Sequence, residues 1–263
     1  MNTVALGWIR TRIELKQYFR EWEAVIFNFA FPIVFLTLFS VIFSNNFTGE
    51  GPMTAGLFFL PGMISAGVLL SSFQTMALSV ATERDDGTLK RLRGTPMPPV
   101  AYFLGKIGLV IVTSVIQFAL LLFVARVAFG VDLPTDLRRW ALFVAIFVLG
   151  IAGGTVLGVA YSSLASSARS AGAIVIMPAL ILQFISGVYF AFTDLPQWLQ
   201  QVALIFPLKW IAQGMRSVFF PDAMAAQEMA GAWEPGRTLL ILAAWAIAGL
   251  VICARTFRWT RRQ

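Results

Sequence analysis

The chain has 263 residues, of which 58% are hydrophobic and only 13% charged, with a mean hydropathy of +0.78 and a formal net charge of +7. Soluble domains carry about a quarter charged residues, so this composition excludes an ordinary water-soluble fold and points to lipid as the solvent. No histidine and a single cysteine, Cys253 in an apolar run, exclude His-based acid–base catalysis, His or Cys metal centres and internal disulfides.

The apolar segments are continuous rather than alternating, which predicts transmembrane helices and not a β-barrel. Residues 1–22 interleave Trp8, Ile9, Ile13, Leu15, Tyr18 and Phe19 with Arg10, Arg12, Glu14, Lys16 and Arg20. That mixture predicts an amphipathic helix in the membrane interface, with a solvated N-terminal helix as the alternative. Apolar runs follow at 24–44, 57–80, 104–125, 140–164, 172–192 and 238–255. Each run is about 17–25 residues, enough to cross a hydrocarbon core of about 30 Å. The first of them is long enough to span, so no cleaved leader is read here.

Six spans place both termini on one side. The N-terminus, the 81–106 connection, the 165–171 turn and the tail hold 14 Lys/Arg, against Arg126, Arg138, Arg139, Lys209, Arg216 and Arg237 opposite. The positive-inside rule then puts both termini in the cytoplasm of a plasma membrane, with Arg258, Arg261 and Arg262 as a stop anchor. Basic residues clustered at the ends of apolar runs suit anionic headgroups and argue against a nucleic-acid partner. Between the fifth and sixth spans, 193–236 predicts two short outer-side helices. One contains Leu195, Trp198, Leu199 and Val202 and stops at Pro207; the other runs over 208–220. With no internal repeat, 1–263 reads as a single all-α transmembrane domain.

The largest charged connection runs Glu83-Arg84-Asp85-Asp86-Gly87-Thr88-Leu89-Lys90-Arg91-Leu92-Arg93-Gly94-Thr95-Pro96. Gly87 permits a bend, and Gly94 and Pro96 stop a short helix with one apolar and one charged edge. Such a helix suits a groove on a soluble partner; an ordinary charged loop is the alternative. The segment resembles the coupling-helix motif of the ABC-2 exporter permeases, which include daunorubicin-type drug exporters. Glu83, Arg84, Gly87, Thr88, Leu89, Leu92, Thr95 and Pro96 match it. A second match follows on the opposite side: Ser186-Gly187-Val188-Tyr189-Phe190, then Leu195-Pro196-Gln197-Trp198-Leu199, Pro207 and Arg216.

The resemblance covers essentially the whole chain. It implies a second copy of the permease, two copies of a separate ABC ATPase that carry ATP and Mg, and a bacterial plasma membrane. Gly187, Pro196, Trp198, Leu199, Pro207 and Arg216 form the outer-side motif. The sequence has no G-x-x-x-x-G-K-[ST] phosphate loop, since Gly105-Lys106 lacks both the upstream glycine and the following Ser/Thr. An enzyme is therefore not expected, and no cofactor on this chain.

Asn28, Gln74, Gln117 and Gln183 are polar within apolar runs, where each either bonds between helices or lines a path. In similar transporters the second and fifth spans face the central cavity, which selects Gln74, Gln183, Phe184 and Ser186 as pathway residues. Gly150, Gly153, Gly154 and Gly158 read as close-packing positions. No Asp or Glu lies mid-span, so a proton-coupled carrier lacks its titratable group. The resulting expectation is export of a hydrophobic or amphipathic small molecule such as a drug or antibiotic. The alternatives are a lipid-linked glycan or lipid as cargo, a passive channel, or a membrane-embedded enzyme.

Overall fold

The computed structural model describes residues 2–47 and 53–256. Among them no strand occurs, and six helices are long and apolar enough to cross a bilayer. The chain is thus an all-α, multi-pass membrane protein. Arg258, Arg261 and Arg262 lie outside the described residues.

Helix α1 (Thr3–Arg20) breaks at Glu21, whose backbone leaves the helical region (φ −87°, ψ 64°), and α2 (Trp22–Ile42) starts at once as the first span. The second span, Ala55–Asp85, is composite. It comprises α3 (Ala55–Val68), a π-helical segment (Leu69–Gln74) and α4 (Thr75–Asp85). The Thr54 hydroxyl opens it by accepting the Leu57 N–H at 3.2 Å. A π turn leaves carbonyls badly placed for the usual ladder. Here Ser71, Ser72 and Thr75 donate their hydroxyls to the carbonyls of Gly67, Val68 and Leu70. This span is the central post of the bundle, with 94% of its most apolar window buried.

A short α5 (Thr88–Arg93) leads to α6 (Pro99–Phe129), the third span, which starts on proline and ends at Gly130. The fourth and fifth spans begin with α7 (Leu137–Tyr161), capped by Asp136, and α8 (Ala168–Ile185), capped by a reciprocal Ser167–Ser170 pair. Next come α9 (Gln197–Ala203) and α10 (Pro207–Phe219), and α11 (Pro235–Thr256) is the sixth span. Helix α8 stops at Ile185, short of residue 192, because Gly187 turns with φ +73° and folds Val188 and Tyr189 into the core.

Two packing features position the site. Helix α1 lies against α6 where glycines admit it: a Cβ on Gly105 would stand 2.3 Å from Arg10 Cγ, and one on Gly108 2.4 Å from Thr11 Oγ1. The opposite face of α1 leaves Val4, Trp8, Ile9 and Ile13 exposed. At the other end of the bundle, α9 and α10 form a hairpin. Helix α10 does not lie on the surface but packs among α3, α7 and α11, with Leu208, Trp210 and Ala212 buried.

Candidate functional site

Four charges meet at the end of the bundle that carries α1 and α5. Lys106, 0% exposed, spends all three of its donors: to Glu14 Oε2 (2.8 Å), Ser79 Oγ (2.7 Å) and Glu83 Oε1 (2.8 Å). Arg10 Nη2 pairs with Glu83 Oε1 at 3.0 Å and with Glu14 Oε1 at 2.5 Å. The Tyr102 hydroxyl donates to Glu83 Oε2 at 2.7 Å. Two cations thus balance two carboxylates in a site that water barely reaches, the condition under which buried charges are tolerated. The cluster joins α1, the end of the second span and the start of the third.

The three residues from Glu83 onward each tie to a different part of the bundle. Glu83 holds α1 and α6 as described. Arg84 donates to the Ser162 carbonyl (2.7 Å) and hydroxyl (3.0 Å) just after α7. Asp85 accepts the Ala168 N–H at 3.0 Å and so caps the N-terminus of α8, where the helix dipole favours a negative charge. Asp86 accepts the Thr88 N–H at 2.8 Å, and Gly87 turns the chain with φ +76°.

Helix α5 then points its apolar edge inward, with Leu89 0% exposed and Leu92 half-buried. Its exposed side is basic: Lys90, Arg91 and Arg93. Gly94, Thr95 and Pro96 follow in the open, and Thr95 donates its hydroxyl to the Leu92 carbonyl at 2.7 Å. The apolar edge is consumed within the chain, and the charged edge is what remains exposed.

The four pathway candidates are not equivalent. Gln74 ends the π segment and is half-buried. Gln183 is buried, and its side-chain carbonyl accepts the Tyr189 hydroxyl at 2.5 Å. Phe184 is exposed on the outward face of α8, and its ring lies 5.0 Å from that of Tyr189. Ser186 is fully buried at the helix end, with its hydroxyl unpartnered. Asn28 and Gln117 bond between helices: Asn28 donates to Tyr18 Oη at 2.7 Å, and Gln117 to the Asn28 carbonyl at 2.9 Å.

The motif residues at the hairpin end are partly gathered. Arg216 forks onto Glu228 (2.5 and 3.2 Å) and donates to the Gly187 carbonyl at 3.1 Å. Arg216 therefore clamps the turn after α8 to α10. Pro196 precedes α9, Leu199 is half-buried within it, Trp198 is exposed, and Pro207 opens α10. Nearby, Lys209 is buried over the rings of Trp210 (4.1 Å) and Phe192 (5.0 Å) and bonds to Gln213 Oε1. Burial lowers it from 10.5 to about 8, against the opposing pull of Glu228.

Sequence reasoning missed the ionic cluster. Lys106 sits in the 81–106 stretch and reads there as one more loop cation, and Arg10 and Glu14 read as the polar face of an interfacial helix. A signal was present: Lys106 is followed by a long apolar run, and a charge set inside a span needs a partner.

The family model described as ABC-2 type transporter matches residues 6–220. Two curated relatives, each named "Probable multidrug ABC transporter permease YbhR", come from Escherichia coli K12 and Escherichia coli O157:H7. Each is 27% identical over 169 residues, covering 63% of this chain and 44% of the relative. The aligned region thus spans less than half the length of the curated relatives it matches.

Proposed function

The chain belongs to the ABC-2 type transporter family, and from that premise we propose that it is the permease subunit of an ATP-driven exporter. Two copies form the transmembrane pathway, and two copies of a separate ABC ATPase bind ATP and Mg and supply the energy. Both termini face the cytoplasm, α1 lies in the membrane interface, and the α9–α10 hairpin enters from the outer side. The cargo class is a hydrophobic or amphipathic small molecule such as a drug or antibiotic, in keeping with the multidrug permeases it resembles at 27% identity.

One observation carries the reading. Helix α5, with its exposed basic face, follows directly on the end of α4, where Glu83, Arg84 and Asp85 bond to α1, α6, the end of α7 and α8. A push on α5 by a soluble partner passes through its contact with α4 and the Asp86–Gly87 turn to the residues that hold four helices. Nucleotide can drive the switch only by favouring one of two states of the partner, and a rigid elbow transmits that preference. Gln74 and Phe184 supply contacts to cargo along the second and fifth spans, while Gln183 and Ser186 shape the turn that holds Phe184 in place.

The test is reconstitution with an ABC ATPase encoded beside the gene. Export into inside-out vesicles should require both subunits and ATP, and reversing Lys90, Arg91 and Arg93 to glutamate should abolish it while the permease stays folded. Uphill movement of solute by the purified chain alone, without nucleotide, overturns the assignment.

A further inference from the structure

Helix α11 packs on α7 and α10, whereas α8 packs on α4 and the π segment, so a gap opens between α8 and α11 with α7 as its floor. The gap is a cavity of about 560 Å³ within the spans, and its lining is almost wholly apolar. Along α7 it runs from Leu149 to Tyr161, about 18 Å at about 1.5 Å per residue. Its walls are residues such as Leu182 and Ile185 of α8 and Leu242 of α11, and Phe206 of the hairpin closes one end. It is continuous with the outer surface of the bundle, since Ile181 and Val202 line it and are themselves exposed.

We propose that this groove is a binding site for one alkyl chain of a membrane phospholipid, held lengthwise against α7. Three features select that occupant. The void cannot stay empty without lost dispersion contacts along every wall, and water does not fill an apolar cavity. Of the three polar side chains in the lining, two are spent on backbone: Ser72 donates to the Val68 carbonyl, and Trp245 Nε1 to the Ile205 carbonyl at 2.9 Å; the third, Tyr161, stands at the far end of the α7 wall. Ligand sites for compact molecules place a few convergent polar groups in the pocket, and these two are turned away into backbone. Finally, the groove is long rather than round, and it opens onto the surface where bilayer chains are the solvent. The site needs neither ATPase nor cargo, so it stands or falls apart from the transport reading.

The experiment uses the full chain in phosphatidylcholine nanodiscs containing a trace of phosphatidylcholine with a diazirine in mid-acyl chain. Photolabelled positions are mapped by peptide mass spectrometry. Labelling is expected to be several-fold enriched at Leu157, Leu182 and Trp245 over Phe123 and Leu240, although the latter two are more exposed. Val202→Trp and Ile181→Trp, both at exposed positions lining the groove, should fill it and lower that labelling several-fold; Leu240→Trp should not. Displacement by oleic acid supports the site. Three results overturn it: even labelling over all exposed spans; loss of label in step with cross-linked dimer, which makes a second copy the occupant; and displacement by ethidium but not by oleic acid, which makes it a cargo site.

Discussion

Replacing Lys106 with methionine tests the ionic cluster directly. The substitution keeps most of the side-chain length and removes one positive charge from among two carboxylates. Each Lys106 contact at 2.8 Å is worth about 6 kcal/mol of gross attraction at an effective dielectric of about 20. Burying the charges costs several kcal/mol apiece, so the intact cluster is near balance; the loss of one member is not. Arg10 alone then faces Glu14 and Glu83, and an uncompensated buried charge costs about 3–5 kcal/mol. At about 2–4 °C per kcal/mol for a chain of this order of size, the unfolding midpoint should fall by roughly 6–20 °C.

The assay is thermal unfolding of the detergent-solubilised protein, followed by tryptophan fluorescence. The double variant Lys106→Met with Glu83→Gln restores neutrality, leaving Arg10 with Glu14. It should recover about 1–3 kcal/mol relative to the sum of the single losses. A single variant that melts with the parent, or a double variant whose loss equals that sum, refutes the reasoning that charge balance holds this end together.

The other predictions concern the elbow and the hairpin. Gly87→Pro cannot adopt φ +76° and should abolish ATP-dependent transport, with the spans still inserted when probed by protease protection. Reversing Lys90, Arg91 and Arg93 to glutamate should leave the melting midpoint within about 0.5 kcal/mol of the parent per site but eliminate co-purification with the ATPase; parental co-purification would place docking elsewhere. Arg216→Met leaves Glu228 buried without its fork and should cost about 3–5 kcal/mol, read as a fall in melting midpoint that Glu228→Gln partly reverses. Lys209 falls from 10.5 to about 8 on burial, so the folded state prefers it neutral. Stability should be flat below pH 8 and rise as pH climbs from 8 towards 10.5, and Lys209→Met should remove that rise in melting curves taken across this range.

How much of this was legible in the sequence follows from which forces act locally. The six spans are written in uninterrupted apolar runs, because lipid demands them residue by residue. The bend at Gly87 and the stop after Arg93 are likewise local. The length of α8 was not: nothing in Ser186–Phe190 forbids a helix, and Gly187 turns there because Arg216 and the hairpin hold its carbonyl from 29 residues away. The inward turn of Leu89 depends equally on neighbours that the segment does not contain. The ionic cluster was hidden for the same reason. Lys106 and Glu14 are 92 residues apart, and only the approach of α1 to Gly105 and Gly108 brings them together.

The placement of charge at the elbow makes it a firm joint between helices. Glu83, Arg84 and Asp85 are consecutive on the last turn of the central post, and they reach α1 with α6, the end of α7, and the start of α8 respectively. Their bonds are charge-assisted and directional, so they resist small displacements more stiffly than apolar contacts do. The partners on α7 and α8 sit at helix ends, whereas Arg10 meets Glu83 from the middle of α1. The apolar middle of the bundle offers no comparable grip, since lipid and leucine are interchangeable there. In the proposed coupling, a force applied to α5 would therefore meet α1 at its middle and α6, α7 and α8 near the ends that face the elbow. The π turn in the post, its carbonyls already served by hydroxyls, is a departure from the α ladder inside the most deeply buried of the described spans.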